Sequence, residues 1–327
     1  MRKTQSITDT SPERANGKNA EKLRFCVVAD WHGAHEPFGE LAHRLIEERP
    51  EFVLVPGDLV NAKGGDPAPW EHFFAGIRPL IEAGITYYPV PGNHDFDGDI
   101  AAAQHEWIER FDLPDNKFFY SFDSGRAHFT GLCVTKGMFI HEFDLSEGRI
   151  SQRKWFEGDL ESSRHARWRF IFHHEPGAAF CRLSTPNDGL GLAEVSESVE
   201  PLAFREGVDL IFRGHQHLYE RTYPVNPIEK VRDDRRGVVL ITVGGGNINY
   251  RPIDPADAVP KWFDAVISVH QMHYLTIQLT GDRLDAEAKN LAGEVFDRFT
   301  IQKFPDGSRE WKGLPPTPVF LVENQPC

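Results

Sequence analysis

Three times in the first hundred residues a short apolar run stops at a polar turn. Leu23 to Ala29 (LRFCVVA) stops at Asp30, Phe52 to Val55 at Pro56-Gly57-Asp58, and Thr86 to Val90 at Pro91-Gly92-Asn93-His94-Asp95. Between them lie stretches with helical spacing: Phe38 to Glu48 through Leu41, Leu45 and Ile46, and Trp70 to Ala83 through Phe73, Phe74, Ile77, Leu80 and Ile81. A run apolar at nearly every position is the mark of a strand buried on both faces. Strand, polar turn and helix in repetition predict parallel strands joined by crossover helices, with ligands gathering at the carboxyl ends of the strands. All three polar turns fall at that edge.

From Phe118 the spacing shortens, with strands predicted at Phe118 to Phe122 and His128 to Cys133, and a helix from Ser151 to Glu161. The strand Trp168 to Phe172, a helix near Pro201, and the strands Val208 to Phe212 and Val238 to Val243 follow. Three alternating strands close the pattern, Tyr274 to Leu279, Arg283 to Ala288 and Val295 to Ile301. Residues 1–21 are polar, without periodicity, and read as a mobile tail. Residues 22–303 read as one folded domain and 304–327 as a C-terminal extension, since no repeat or linker divides the middle. Residues 1–21 hold no apolar stretch resembling a signal-peptide core, and no run approaches the ~20 residues that span a bilayer. A cytoplasmic location without membrane attachment is the expectation.

The strand ends carry an unusual set of side chains. The first delivers Asp30-Trp31-His32, the second Gly57-Asp58 and the third Gly92-Asn93-His94-Asp95; the strand at Trp168 delivers His173-His174, and that at Val208 delivers Gly214-His215-Gln216-His217. A packed core requires none of this, although G-D is a common turn and a lone His-His pair is more often buried and satisfied. Carboxylate and amide oxygens with imidazole nitrogens suit Mn, Fe, Co or Zn. In D-x-H and H-x-H the outer side chains of an extended segment point the same way, so each motif can aim two ligands at one place. Glycines 57, 92 and 214 permit tight turns or close backbone approach beside them. Cys26, Cys133, Cys181 and Cys327 form no C-x-x-C pair, which argues against a disulfide framework or a thiolate zinc cluster. Cys26 and Cys133 read as core.

Taken in order, D-x-H, G-D, G-N-H-D, a histidine shortly before a proline, and G-H-x-H resemble the calcineurin-like metallophosphoesterase superfamily. Gly214 to Pro224 (GHQHLYERTYP), Ile241 to Asn247 (ITVGGGN), Gln152 to Leu160 (QRKWFEGDL) and the closing strands through Phe299 are similar to its purple acid phosphatase branch. The resemblance covers about Leu23 to Ile301. It implies an α/β fold, a four-layer α/β/β/α sandwich of mixed sheets with helices outside. It also implies two metal ions of uncertain identity, divalent or trivalent. Asp30, His32, Asp58 and His217 would hold one; Asp58, Asn93, His174 and His215 would hold the other, with Asp58 bridging. The family's histidine stands two residues before a proline, which favours His174 (His174-Glu175-Pro176) and leaves His173 as the alternative. Where the purple branch has a tyrosine ligand in G-D-x-x-Y this chain has Asn61, and His32 is absent from that branch's first motif. A purple charge-transfer colour is therefore not expected.

The activity implied is hydrolysis of phosphate mono- or diesters by attack of a metal-bound hydroxide, with His94 stabilising the transition state or protonating the leaving group. Asp95 is either the orienting partner of a histidine or the cap of a helix near Ile100. Glu220 and Arg221 read as an ion pair, in support of the site or on the surface, the structural role being favoured. Gly177 to Val195, with Cys181, Asn187 and Asp188, and Asn249 to His273, with Trp262 and His270, are candidates for a substrate-facing rim. The chain carries 36 Lys and Arg against 49 Asp and Glu, a net charge of −13, which disfavours long nucleic acid. A small phosphate ester read by metals and histidines is the partner expected. Two other readings remain: a non-catalytic binding or scaffold protein on the same fold, and a dinuclear hydrolase of another ester.

Overall fold

The computed structural model describes residues 22–33, 36–63, 66–113, 118–139, 142–145, 148–177, 194–246, 265–316 and 319–321. In chain order the elements are Lys22–Val27 (β1), Glu36–Glu47 (α1), Phe52–Pro56 (β2), Ala68–Glu82 (α2), Thr86–Val90 (β3), Ile100–Arg110 (α3), Tyr120–Ser124 (β4) and Ala127–Gly131 (β5). Then come Glu142–Leu145 (β6), Gly148–Ser151 (β7), Gln152–Ser162 (α4), Trp168–Phe172 (β8), Glu200–Arg205 (α5), Leu210–Arg213 (β9), Tyr219–Thr222 (β10), Val225–Asn226 (β11) and Val231–Arg232 (β12). The remainder is strand: Val239–Val243 (β13), Ala265–Val269 (β14), His273–Thr280 (β15), Arg283–Asn290 (β16), Val295–Lys303 (β17), Arg309–Lys312 (β18) and Val319–Leu321 (β19).

Two large sheets result, ordered β18-β17-β16-β15-β1-β2-β3 and β19-β14-β10-β13-β9-β8-β5-β4. The first three strands run parallel as the sequence predicts, β1 beside β2 and β2 beside β3. The second sheet has its own parallel centre, β5-β8-β9-β13. Its strands are rich in apolar residues on both faces because both faces are buried. Phe170, Phe172, Leu210, Phe212, Val239 and Ile241 turn inward to one core, while Ile171, Ile211 and Leu240 turn outward to another. Phe25 of β1 joins the sheets, its ring 5.1 Å from Phe129, 5.5 Å from Phe170 and 6.1 Å from Phe212. Each such buried ring contributes roughly 1.5–3 kcal/mol.

Helices cover the outer faces. Leu41 and Leu45 of α1, Trp70, Phe73 and Ile77 of α2 and Trp107 of α3 pack over the first sheet; Phe156 and Leu160 of α4 and Ala203 of α5 pack over the second. This is the expected α/β/β/α sandwich. The side chain of Asp99, not Asp95, caps α3 by accepting from the Ala102 amide at 3.1 Å. Stretch 304–327 contributes strands to both sheets, β18 beside β17 and β19 beside β14. Residues 1–21, Trp262, and residues 178–193 with Cys181, Asn187 and Asp188 lie outside the described residues. No helix among the described residues is long and apolar enough to cross a membrane.

Candidate metal centre

Five strands of the two sheets end at one place. Turns after β1, β2 and β3 meet turns after β8 and β9, tied by backbone bonds from Ala29 N to Val243 O (2.9 Å), Asp30 N to Gly57 O (3.1 Å) and Gly214 N to His174 O (3.1 Å). The outer residues of D-x-H do not converge through an extended strand. Asp30 (φ 63°), His32 (φ 50°), Asp58 (φ 54°) and His215 (φ 72°) all sit in the left-handed region. That region costs a residue with a Cβ of order 1–3 kcal/mol, and such strain collects at functional sites. Glycine is needed where backbones crowd. A Cβ on Gly57 (φ 81°) would stand 2.6 Å from His174 Nδ1, and one on Gly92 would overlap the Asp58 carboxylate and amide.

The side chains form three overlapping groups whose ligand atoms lie within 4.8 Å of one another: Asp30, His32 and His217; Asp58, His174 and His215; and His32, Asp58 and His94. Asp58 belongs to two of them. His32 Nε2 stands 2.9 Å from His217 Nε2 and 3.6 Å from Asp58 Oδ2, and His217 Nε2 stands 3.6 Å from Asp30 Oδ1. In the second group His174 Nε2 lies 3.0 Å from Asp58 Oδ2 and 3.2 Å from Asn93 Oδ1, which is 2.8 Å from His215 Nδ1. His174 is thus the member of its pair that enters the site. His173 is fully buried with neither ring nitrogen hydrogen-bonded, and burial, then the Arg213 charge, push its pKa down to about 3.

The donor set fits metal ions. His174 Nδ1 donates to Pro56 O at 2.8 Å, so in the neutral ring Nε2 is the nitrogen left with a lone pair for a metal ion. His32 Nδ1 faces Asn61 Oδ1 at 2.8 Å while Asn61 Nδ2 donates to His32 O, which leaves the His32 Nε2 lone pair aimed at His217. Asn61, noted in the sequence only as a missing tyrosine, orients a candidate ligand. Burial pushes the Asp30 carboxyl well above the usual carboxylate range. At Asp58 burial works the same way, but the charge and hydrogen bond of His174, then His32, outweigh it and hold the carboxyl low. His174 is correspondingly held up against its own burial by Asp58. Protons thus balance the buried carboxylates, a balance that a cation on the same oxygens and nitrogens would take over.

Two sequence assignments change. Asp95 neither touches a histidine nor caps a helix; it is fully buried and accepts from Gly92 N at 2.8 Å and Val60 N at 3.0 Å, pinning the turn. The partner of His94 is Asp97, with Nδ1 and Oδ2 2.6 Å apart. Glu220 and Arg221 do not pair with each other. Glu220 meets Arg213 at 3.4 Å and Arg221 clasps Asp297 at 2.6 and 2.8 Å, all four being buried. Neighbours on one strand face opposite ways. Cys26 and Cys133 are free and buried.

A model of the calcineurin-like phosphoesterase family matches residues 23–219, a span that includes Asp30, His32, Asp58, Asn93, His94, His174, His215 and His217. The chain belongs to that family. Among curated relatives of this chain, "Probable inactive purple acid phosphatase 24" of Arabidopsis thaliana is 27% identical over 77% of the chain and 43% of its own length. "Nucleotide pyrophosphatase/phosphodiesterase" of Hordeum vulgare is 28% identical over 80% of the chain and 74% of its own length. The chain therefore spans less than half of the first relative and about three quarters of the second. Among solved structures, the purple acid phosphatase PPD1 from yellow lupin seeds superposes with a TM-score of 0.71 at 20% identity, covering 89% of this chain and 56% of that one. That likeness is one of fold.

Proposed function

We propose that this phosphoesterase is a dinuclear metal-dependent hydrolase of small phosphate mono- or diesters. The observation that carries the reading is Asp58, whose carboxylate is shared between two histidine-containing groups at the meeting point of five strand ends. Asp30, His32 and His217 would hold one ion with Asp58; Asn93, His174 and His215 would hold the other with it. Bound ions of Mn, Fe, Zn or Co would supply Lewis acidity toward the phosphoryl oxygens and acidify a water toward neutral pH. The protein's own contribution is positioning. The Asp58 carboxylate accepts from His94 N at 2.9 Å, which fixes the turn that carries His94. The His94 side chain is 42% exposed and can reach a substrate oxygen, where general acid assistance is worth ~10²–10⁴-fold. The names of the relatives support phosphate esters as the substrate class, and a diester substrate is consistent with the barley relative's name.

The test is to load metal-free protein with Mn, Fe, Zn and Co separately, count bound metal, and measure turnover of aryl phosphate mono- and diesters beside carboxylic esters. Wild type should hydrolyse the phosphate esters, and Asn93→Ala and His94→Ala should lose most of that activity. Equal activity in all three proteins would refute the reading. A folded protein that binds metal without hydrolysing anything would favour the scaffold alternative, and preference for carboxylic esters the third.

A further inference from the structure

Nδ1 of His94 and Oδ2 of Asp97 are 2.6 Å apart, and their side chains are 42% and 37% exposed. An exposed contact of this kind has little energetic worth by itself. Its place in the backbone gives it another. His94–Phe96 is a single 3-10 turn, closed by Phe96 N to Asn93 O and Asp97 N to His94 O, each 3.4 Å. In that geometry residues three apart eclipse, so residue 97 lies over residue 94 while residue 95 points elsewhere. Asp95 accordingly turns inward to the Gly92 and Val60 amides. The His32 ring also stands edge-on to the imidazole, at 5.0 Å between centroids.

Resting on the phosphoesterase reading, we infer that Asp97 is a positioning residue which selects the Nδ1–H tautomer and one ring orientation of His94. Nε2 is then the ring nitrogen that serves the substrate, and the site is suited to phosphate esters of unactivated alcohols. A nitrophenolate leaves as a stable anion, whereas an alkoxide must be protonated as it leaves. In the step concerned, a bond forms from a water oxygen to phosphorus while the bond from phosphorus to the leaving oxygen breaks. The ring that reacts carries a second proton on Nε2; the leaving oxygen takes it, which leaves the Nδ1–H tautomer held by Asp97, and the proton released by the water returns to Nε2 through solvent.

The experiment compares an alkyl phosphate with 2,4-dinitrophenyl phosphate in wild type, Asp97→Ala, Asp97→Asn and His94→Ala, each checked for equal bound metal. The alkyl to dinitrophenyl ratio of kcat should fall at least ~10-fold in Asp97→Ala, within the span general acid assistance covers. Asp97→Asn keeps an oxygen acceptor for Nδ1–H and should recover most of the ratio. The double variant with His94→Ala should lose no more than His94→Ala alone, because both act through one ring. Independently of turnover, nitrogen NMR of the metal-free protein should show a dominant Nδ1–H tautomer for His94 in wild type and a mixture in Asp97→Ala. Equal slowing of both esters in Asp97→Ala, or an unchanged tautomer, would overturn the inference. If wild type hydrolyses neither ester, the phosphoesterase reading fails, and the tautomer measurement still decides what Asp97 does to His94.

Discussion

Replacing each histidine of the 173/174 pair with leucine should give opposite results. His173 is fully buried and neither ring nitrogen finds a partner, so it carries the cost of a dehydrated, unpaired polar group, roughly 1–3 kcal/mol. His173→Leu removes that cost, and the shape change returns less than about 1.5 kcal/mol of it. The metal-free variant should therefore be as stable as wild type or more so, by about 1 kcal/mol, which raises Tm by about 2 °C in a chain of this size. Its metal content should not change. His174→Leu strands Pro56 O, 2.8 Å from Nδ1, and removes the imidazole 3.0 Å from the buried Asp58 carboxylate. Breaking a buried pair in this way costs about 3–5 kcal/mol. The loaded protein should also lose one metal equivalent. Calorimetry of the metal-free proteins and elemental analysis of the loaded ones measure both quantities. The reasoning is refuted if His173→Leu loses metal or more than 2 kcal/mol, or if His174→Leu binds metal as wild type does.

Two further outcomes are expected. His128 lies 2.7 Å from Asp123 and 3.1 Å from Asp159; burial works against its charge, but the two carboxylates outweigh it and raise its pKa. Its contribution is thus fully present below the unfolded value of ~6.5 and lost as pH rises through the folded one, so the Tm gap between wild type and His128→Asn should close with rising pH. Arg221→Met leaves the Asp297 carboxylate without its guanidinium and should cost about 3–5 kcal/mol in denaturant unfolding, much of it recovered in Arg221→Met with Asp297→Leu.

How much of this could be read from the chain depended on what each residue faces. Trp168 to Phe172 and Thr86 to Val90 were legible to the residue, because each is a largely apolar and aromatic run that stops at a polar turn. β10 was not legible as a strand, since its sequence YERT is polar while all four residues are buried. Its charges are met by Arg213 of β9 in the same sheet and Asp297 of β17 in the other, partners that no local pattern reveals. β14, by contrast, is an apolar run, AVISV, that lay inside a segment read as a rim loop, and only part of that segment, including His270, is described. At the site the residue types pointed to one centre, but the reason for their convergence was misplaced. Strand alternation was expected, and left-handed backbone at Asp30, His32, Asp58 and His215 is what the fold uses. Adjacency likewise favoured Asp95 over Asp97, and only a turn of three residues reverses that choice.

β1 lies between β2 and β15, with Cys26 opposite Thr276, 250 positions further along the chain. Asp30 follows directly from β1, and Ala29 N is held by Val243 O on the facing sheet. Contacts of such long range form late, because the entropy of closing the intervening loop must be met before they contribute. The first carboxylate of the centre is therefore set only when distant parts of the chain have found each other. A half-folded chain can display every candidate ligand and still hold no site, so metal uptake, if measured during refolding, should follow completed folding rather than precede it.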